Sequence, residues 1–406
     1  DSGRRVLGTR ATMDLGGARG HCRLSGVGDV GEQLCAANMP FGIAKIQHVQ
    51  RELGLPMDAS FIGAPDATVT RNLARWGQGF GYGGRIQWTG DFSVLDIKSN
   101  HCGMIALALH DPPPPAEIEE RARQLLKNPL VVDDVEIEFD LTESNHFLDI
   151  CAVRERYSDD APKADTIAII HSSGHEHRER SPKGPGIYWD ASEPLRQMME
   201  TRDTPWGPLH VLTGDKAREF DQAYGWCQDF SWRQREALSR ALLGPLDVIV
   251  NRTHQGLQAM NDAILGCYCF DDADLAAGQL FPLTLSPDLP AYLVKPVPNF
   301  DAAALDDAGF RERAERHGLV ERLSKANLLP HGGGYSYSQY RKVTGVVAED
   351  AQGSFEIEKP DGQRELVSDV RTAAYGYRGD EVRQRMIDLR LGEPVLRAEI
   401  TYILRI

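Results

Sequence analysis

The chain has 406 residues, 41% of them hydrophobic and 26% charged, and a net charge of −14. That is the composition of a folded protein of one large domain or two ordinary ones, and its acidity argues against a general nucleic-acid coat, which needs a basic footprint. Apolar runs are broken by Gly, Pro or Asp well short of the roughly 20 residues of a membrane helix, and seven scattered cysteines, an odd number, fit a reducing cytoplasm better than a disulfide framework.

Residues 1–40 are rich in Gly, Arg and Ala, with weak periodicity, and read as an irregular N-terminal extension before a folded region over 41–406. They lack the apolar stretch of a secretory leader, and since the chain opens on Asp1, some native sequence is expected to precede it. The Gly-aromatic stretch 71–88 (RNLARWGQGFGYGGRIQW) reads as loop and tight turn. A first strand is expected within 93–109, around KSNHCGM. Four prolines at 112–115 break the chain, and a helix follows over 115–127, acidic early and basic late. Residues 130–139 alternate as a half-exposed strand would. Strands are expected at 147–153 and 166–170, a helix over 216–243 stopped by Gly244-Pro245, and a short strand at 248–251. Residues 280–296 read as apolar strand and turn, 300–326 as a charged helical insertion, 380–391 as helix, and 336–347, 354–357 and 395–406 as extended. Strands and helices mix without βαβ regularity or a fixed repeat, which predicts an α+β fold.

Basic residues cluster at 175–180 (HEHRER), a solvated surface or one wall of a groove. The C-x-C at Cys267 and Cys269 has no second pair nearby and reads as structural. Of twelve histidines, His146, His171, His254 and His331 stand at the edges of apolar strands in Gly- or Asn-bearing loops, and Cys102 occupies the same kind of place. Singly, each reads as a structural residue. Together, thiolate and imidazole donors at rigid strand ends suit a transition-metal site.

In chain order, HCGM at 101–104, SNHFLD at 144–149, IIHSSG at 169–174, RTHQ at 252–255, AGQ at 277–279, PHGGGYSYSQ at 330–339 and AAYGYRGDEV at 373–382 resemble the motifs of the RtcB family of RNA-splicing ligases. The resemblance covers roughly residues 70–406. It implies a single large RtcB-like domain, with mixed and antiparallel sheets flanked by helices around a central metal cleft. It also implies two manganese ions, GTP, a cytoplasmic location and an RNA partner. The implied activity joins a 3′-phosphate or 2′,3′-cyclic phosphate end to a 5′-hydroxyl end.

The roles implied are as follows. Cys102, His146, His171 and His254 hold metal. The family carboxylate falls at Ser99 here, so Asp96 is the expected further ligand, or else a surface acid, with His101 as a substitute. His331 accepts the guanylyl group through a neutral ring nitrogen, and Gly332, Gly333 and Gly334 let backbone N–H groups approach phosphate. Asn145 contacts phosphate, Asp149 replaces a family Glu near the nucleotide, and Ser286 aligns with a loop serine. The chain departs from the family at LTLSPDLP (283–290), at Tyr335, Gln255 and Cys269-Phe270-Asp271, and in HSSGHEHRER, mostly on nucleotide or RNA contacts. Two other functions fit the same residues. One is a metal-dependent phosphodiesterase or phosphatase. The other is a non-catalytic protein that binds RNA ends or nucleotides.

Overall fold

The computed structural model describes residues 15–142, 145–349 and 352–406. Residues 1–14 of the expected extension, and Ser144 of the second Ser-Asn-His, lie outside them. The architecture is α+β, with helices and strands interspersed along the chain.

The strands of the two main sheets are β1 (Cys22–Arg23), β2 (Ser60–Thr68), β3 (Tyr82–Gln87), β4 (Gly103–Leu109), β5 (Phe147–Arg156), β6 (Thr166–Ser172), β7 (Asp247–Thr253), β8 (Gln255–Ala259), β9 (Asp262–Leu265), β10 (Phe281–Thr284), β11 (Ala291–Pro296) and β12 (Gly392–Ile403). The larger sheet runs β7-β4-β6-β5-β12-β11-β10, antiparallel throughout. The smaller runs β1-β2-β3-β9-β8, with one parallel pair, β1 on β2.

Central strands β4 (GMIALAL) and β6 (TIAIIHS) are apolar on both faces because both faces are covered. Met104, Ala106, Ile167 and Ile169 pack with Leu293 of β11. Ile105, Leu107, Ala168 and Ile170 pack under Ile118 and Leu242 from the helices Pro115–Lys127 and Gly214–Leu243. Each fully buried Ile contributes about 1.5–3 kcal/mol. This sandwiching makes the strand ends rigid.

Residues 15–40 are not irregular. They hold a short helix, β1, and the first half of the helix Val30–Glu52, whose N-cap Asp29 accepts from the Glu32 N–H at 3.0 Å. That helix is buried on nearly every side, so its sequence has no polar face to reveal the period. The 71–88 stretch is not loop either. It forms the helix Leu73–Gln78 and then β3. Its glycines serve close approach: a Cβ on Gly83 (φ 85°) would lie 2.5 Å from the Ala67 Cα. Over 130–139 the expected strand is a two-residue-per-arm hairpin, Val131–Val132 with Val135–Glu136, because Asp133 and Asp134 adopt left-handed conformations. The charged segment 300–326 forms three short helices, buried through Leu305, Ala314, Leu319 and Leu323.

Candidate active site

Four chain segments meet at one end of the larger sheet. Cys102 precedes β4, His146 precedes β5, His171 lies near the end of β6, and His254 links β7 to β8. Because β7, β4, β6 and β5 are antiparallel neighbours, alternate strands start and finish at the same edge. The register places Met104 and Phe147 on either side of His171. The loop before Cys102 is tightly wound, with Lys98 and His101 at positive φ (50° and 60°), and the Asn100 side chain accepts from the Cys102 N–H at 3.1 Å. The N–H groups of His254 and Gln255 both donate to the Cys102 carbonyl, at 2.9 and 3.1 Å. Gly103 has no room for a side chain: its Cβ would meet the Arg252 carbonyl at 2.5 Å and the Arg235 guanidinium at 2.9 Å.

The Cys102 Sγ stands 2.9 Å from His171 Nε2 and 3.5 Å from His146 Nε2. His171 Nε2 is 3.2 Å from His254 Nε2. Donor atoms of Cys102, His146 and His171 all lie within 4.8 Å of one another, so this buried group can hold a metal ion. The far ring nitrogens explain why the Nε2 atoms face inward. His171 Nδ1 donates to the Asn145 carbonyl at 2.9 Å, and His146 Nδ1 lies 2.7 Å from the Asp140 carboxylate. Partners on Nδ1 turn Nε2 toward the sulfur, the orientation of metal-binding histidines generally. Burial pushes His171 and His254 well below the usual histidine range. Burial works against charge on His146 too, but the Cys102 sulfur and Asp140 outweigh it and raise it to about 10. With metal–sulfur near 2.3 Å and metal–nitrogen near 2.0–2.1 Å, tetrahedral ligands sit roughly 3.3–3.6 Å apart. The 3.5 and 3.2 Å separations match this spacing, and the 2.9 Å one is tighter.

His331 follows the strand Leu328–Pro330, on the smaller sheet's side of the cleft. Its ring centroid is 4.2 Å from that of His254. Between Gly63 and Thr68 the β2–β3 ladder breaks register, and the bulge aims Asp66 at His331. Asp66 Oδ2 accepts from the His331 backbone N–H at 3.1 Å and lies 2.9 Å from its Nδ1. A carboxylate there keeps the proton on Nδ1 and leaves Nε2 as the nucleophilic nitrogen.

The next three residues are also crowded by their neighbours, which leaves no room for side chains. A Cβ on Gly332 would approach the Thr284 carbonyl to 2.9 Å, one on Gly333 the Leu285 carbonyl to 2.7 Å, and one on Gly334 (φ 69°) the Asp66 carbonyl and, at 2.8 Å, the Arg378 guanidinium. Arg378 is 1% exposed. It pairs with Asp29 at 2.7 Å and donates to the carbonyls of Asp66 (3.0 Å) and Ala67 (2.9 Å). Three segments distant in sequence are thereby tied to the glycine loop.

A cavity of about 270 Å³ opens over these groups, just under the roughly 300–1,000 Å³ of typical ligand pockets. Its lining includes His146, His171 and His331, with Asn145, Asp149, Ser286 and the three glycines. Phe147, Tyr335, Tyr377 and Arg405 line it as well. Asp149 has an unpartnered, buried Oδ1, and burial raises its carboxyl to about 7.

Asp96 is not brought to the metal-capable group. Its carboxylate accepts from the His210 backbone N–H (2.8 Å) and from Trp189 Nε1 (3.0 Å), and it faces the His210 ring at 3.0 Å. Both oxygens are used, and the site is buried, so the surface-acid reading fails with the ligand one. His101 is no substitute: its ring packs on Tyr224, 4.2 Å between centroids, with neither nitrogen partnered. Sequence reasoning missed Asp66 and Asp140, neither of which carries a local signal, and did not single out Arg378 within AAYGYRGDEV. A scan against protein-family models finds no match to this chain, and neither does a search of curated proteins.

Proposed function

We propose that this chain is an RNA ligase of the RtcB kind, using GTP and manganese to join 3′-phosphate or 2′,3′-cyclic phosphate ends to 5′-hydroxyl ends. The observation that carries the reading is that His331, its Nδ1 committed to Asp66, lines the same cavity as His146 and His171. A nucleotidyl acceptor needs such an oriented histidine.

His331 Nε2 attacks the α-phosphorus of GTP, a P–N bond forms, and pyrophosphate leaves with the P–O electrons. A 3′-phosphate oxygen of the RNA then displaces His331, and the 5′-hydroxyl oxygen displaces GMP as the new phosphodiester forms. A cyclic phosphate end is first opened by water. Asp66 stabilises the imidazole as positive charge develops on it. Cys102, His146 and His171, with His254 beside them, would hold the metal, which supplies charge to the phosphate oxygens. Asn145, Asp149 and Ser286 stand at the cavity wall for the nucleotide.

One observation favours a second reading, a metal-dependent phosphodiesterase. Arg405 is the one Lys or Arg among the cavity's lining residues, which is sparse provision for a triphosphate. Incubation with Mn²⁺ and GTP labelled at the α-phosphate separates the two. Label retained on the denatured protein and lost in His331→Ala supports the ligase. Absent label, with metal-dependent phosphoester hydrolysis that survives His331→Ala, supports the phosphodiesterase.

A further inference from the structure

We infer that this chain binds one metal ion at Cys102, His146 and His171, not the pair that the family resemblance implies. The inference rests on the metal-site reading above and is independent of whether RNA is ligated. A two-ion centre needs bridging and terminal ligands for both ions, and manganese favours carboxylate oxygen among them. Among the described residues no carboxylate oxygen joins the group of mutually close donors, which is Cys102, His146 and His171; Asp149 lines the cavity but lies outside that group. Asp96 spends both oxygens on His210 and Trp189. Asp140 is turned to the far nitrogen of His146 and to the Ser173 hydroxyl at 3.0 Å, so it supports a ligand rather than being one. Asp66 is committed to His331. Ser99, at the position of the family acid, offers a buried neutral hydroxyl. His101 lies against Tyr224.

What remains is one thiolate and a cluster of imidazoles, with the nearest donors 2.9–3.5 Å apart. That spacing suits ligands of one ion, and a second ion would have only shared donors to bind. A thiolate-imidazole set without carboxylate also suits zinc or iron better than manganese, so the manganese of the proposed reaction would be held here more weakly than zinc. His146 and His171 line the cavity, so an open coordination position would face it, as at catalytic mononuclear sites.

The test is a metal titration of the whole chain after chelator treatment, with Co²⁺ and separately Mn²⁺, with and without GMP. Bound ion is read by equilibrium dialysis, and thiolate-to-cobalt charge-transfer absorption reports the Cys102 bond. One equivalent is expected in every condition, with the absorption saturating at that equivalent and disappearing in Cys102→Ser. Asp96→Asn should still bind one equivalent. Two equivalents in the wild-type chain would overturn the inference, as would loss of binding in a folded Asp96→Asn. Labelling of His331 on the same preparation tests the ligase reading separately, so either can fail alone.

Discussion

Asp66 and His331 lie 265 positions apart, yet one carboxylate oxygen faces the His331 ring at 2.9 Å and accepts from its backbone N–H at 3.1 Å. The side chain and the loop that carries it are thus fixed by one group. Asp66→Asn keeps the shape but lets the amide donate to Nδ1, moving the proton to Nε2. Labelling of His331 by GTP should slow by roughly 10²–10⁴-fold, the range for a displaced proton. Metal stoichiometry should not change. Single-turnover labelling measures this, and a wild-type rate would dismiss the dyad.

Arg378 joins Asp29, Asp66, Ala67 and the glycine loop from a fully buried position. Arg378→Ala leaves those carbonyls unsatisfied and Asp29 without its cation. We expect a loss of roughly 2–4 kcal/mol, read as a shift of the urea midpoint. Arg378→Lys should recover only part of it, because a point charge cannot replace a planar fork of donors.

Asp149 gives a pH dependence. Its carboxyl titrates near 7 in the folded chain, raised by burial, against about 4 when unfolded. Between those values the folded form holds the extra proton, so this residue's contribution makes stability fall as pH rises from about 4 to 7. Above 7 the slope ends. Asp149→Asn should remove this component, seen as a smaller fall in denaturation midpoint between pH 5 and 7 than in the wild type. An unchanged profile would place Asp149's titration outside that window.

Metal removal should destabilise the chain. An ion at 100 times its Kd stabilises by about 2.7 kcal/mol, so chelation should lower the Tm and added Co²⁺ should restore it. His171→Ala deletes a donor at the centre of the group. It should abolish the restoration while leaving a folded protein, and a metal-dependent Tm that persists in that variant would exclude His171 as a ligand.

The metal-capable residues were legible because each sits where an apolar run meets a Gly or Asn, and strand ends at one edge of a sheet converge. Asp96 was misjudged because nearness in sequence to Cys102 says nothing about which way a tightly wound turn sends a side chain; His210, more than a hundred residues away, captured it. Asp66 and Asp140 gave no signal because their partners are set by tertiary pairing across a bulge and a turn. The helix Val30–Glu52 was hidden by its own burial. Pro40, Gly31 and Gly42 look like breakers, yet Gly42 is needed for contact with the Gly79 carbonyl, 2.5 Å from where a Cβ would be.

Strand β12 is interior: it lies between β5 and β11, pairing with β11 over Gly392–Ala398 and with β5 over Leu396–Ile403. During synthesis on the ribosome, β5 and the His146 beside it therefore have no neighbour on one side until residues 392–403 have emerged. A nascent chain halted before that point would expose two unpaired strand edges, which invite aggregation, and would lack the part of the cavity wall supplied by Ile400, Ile403 and Arg405. Maturation of the site is thus coupled to completion of translation through residue 403.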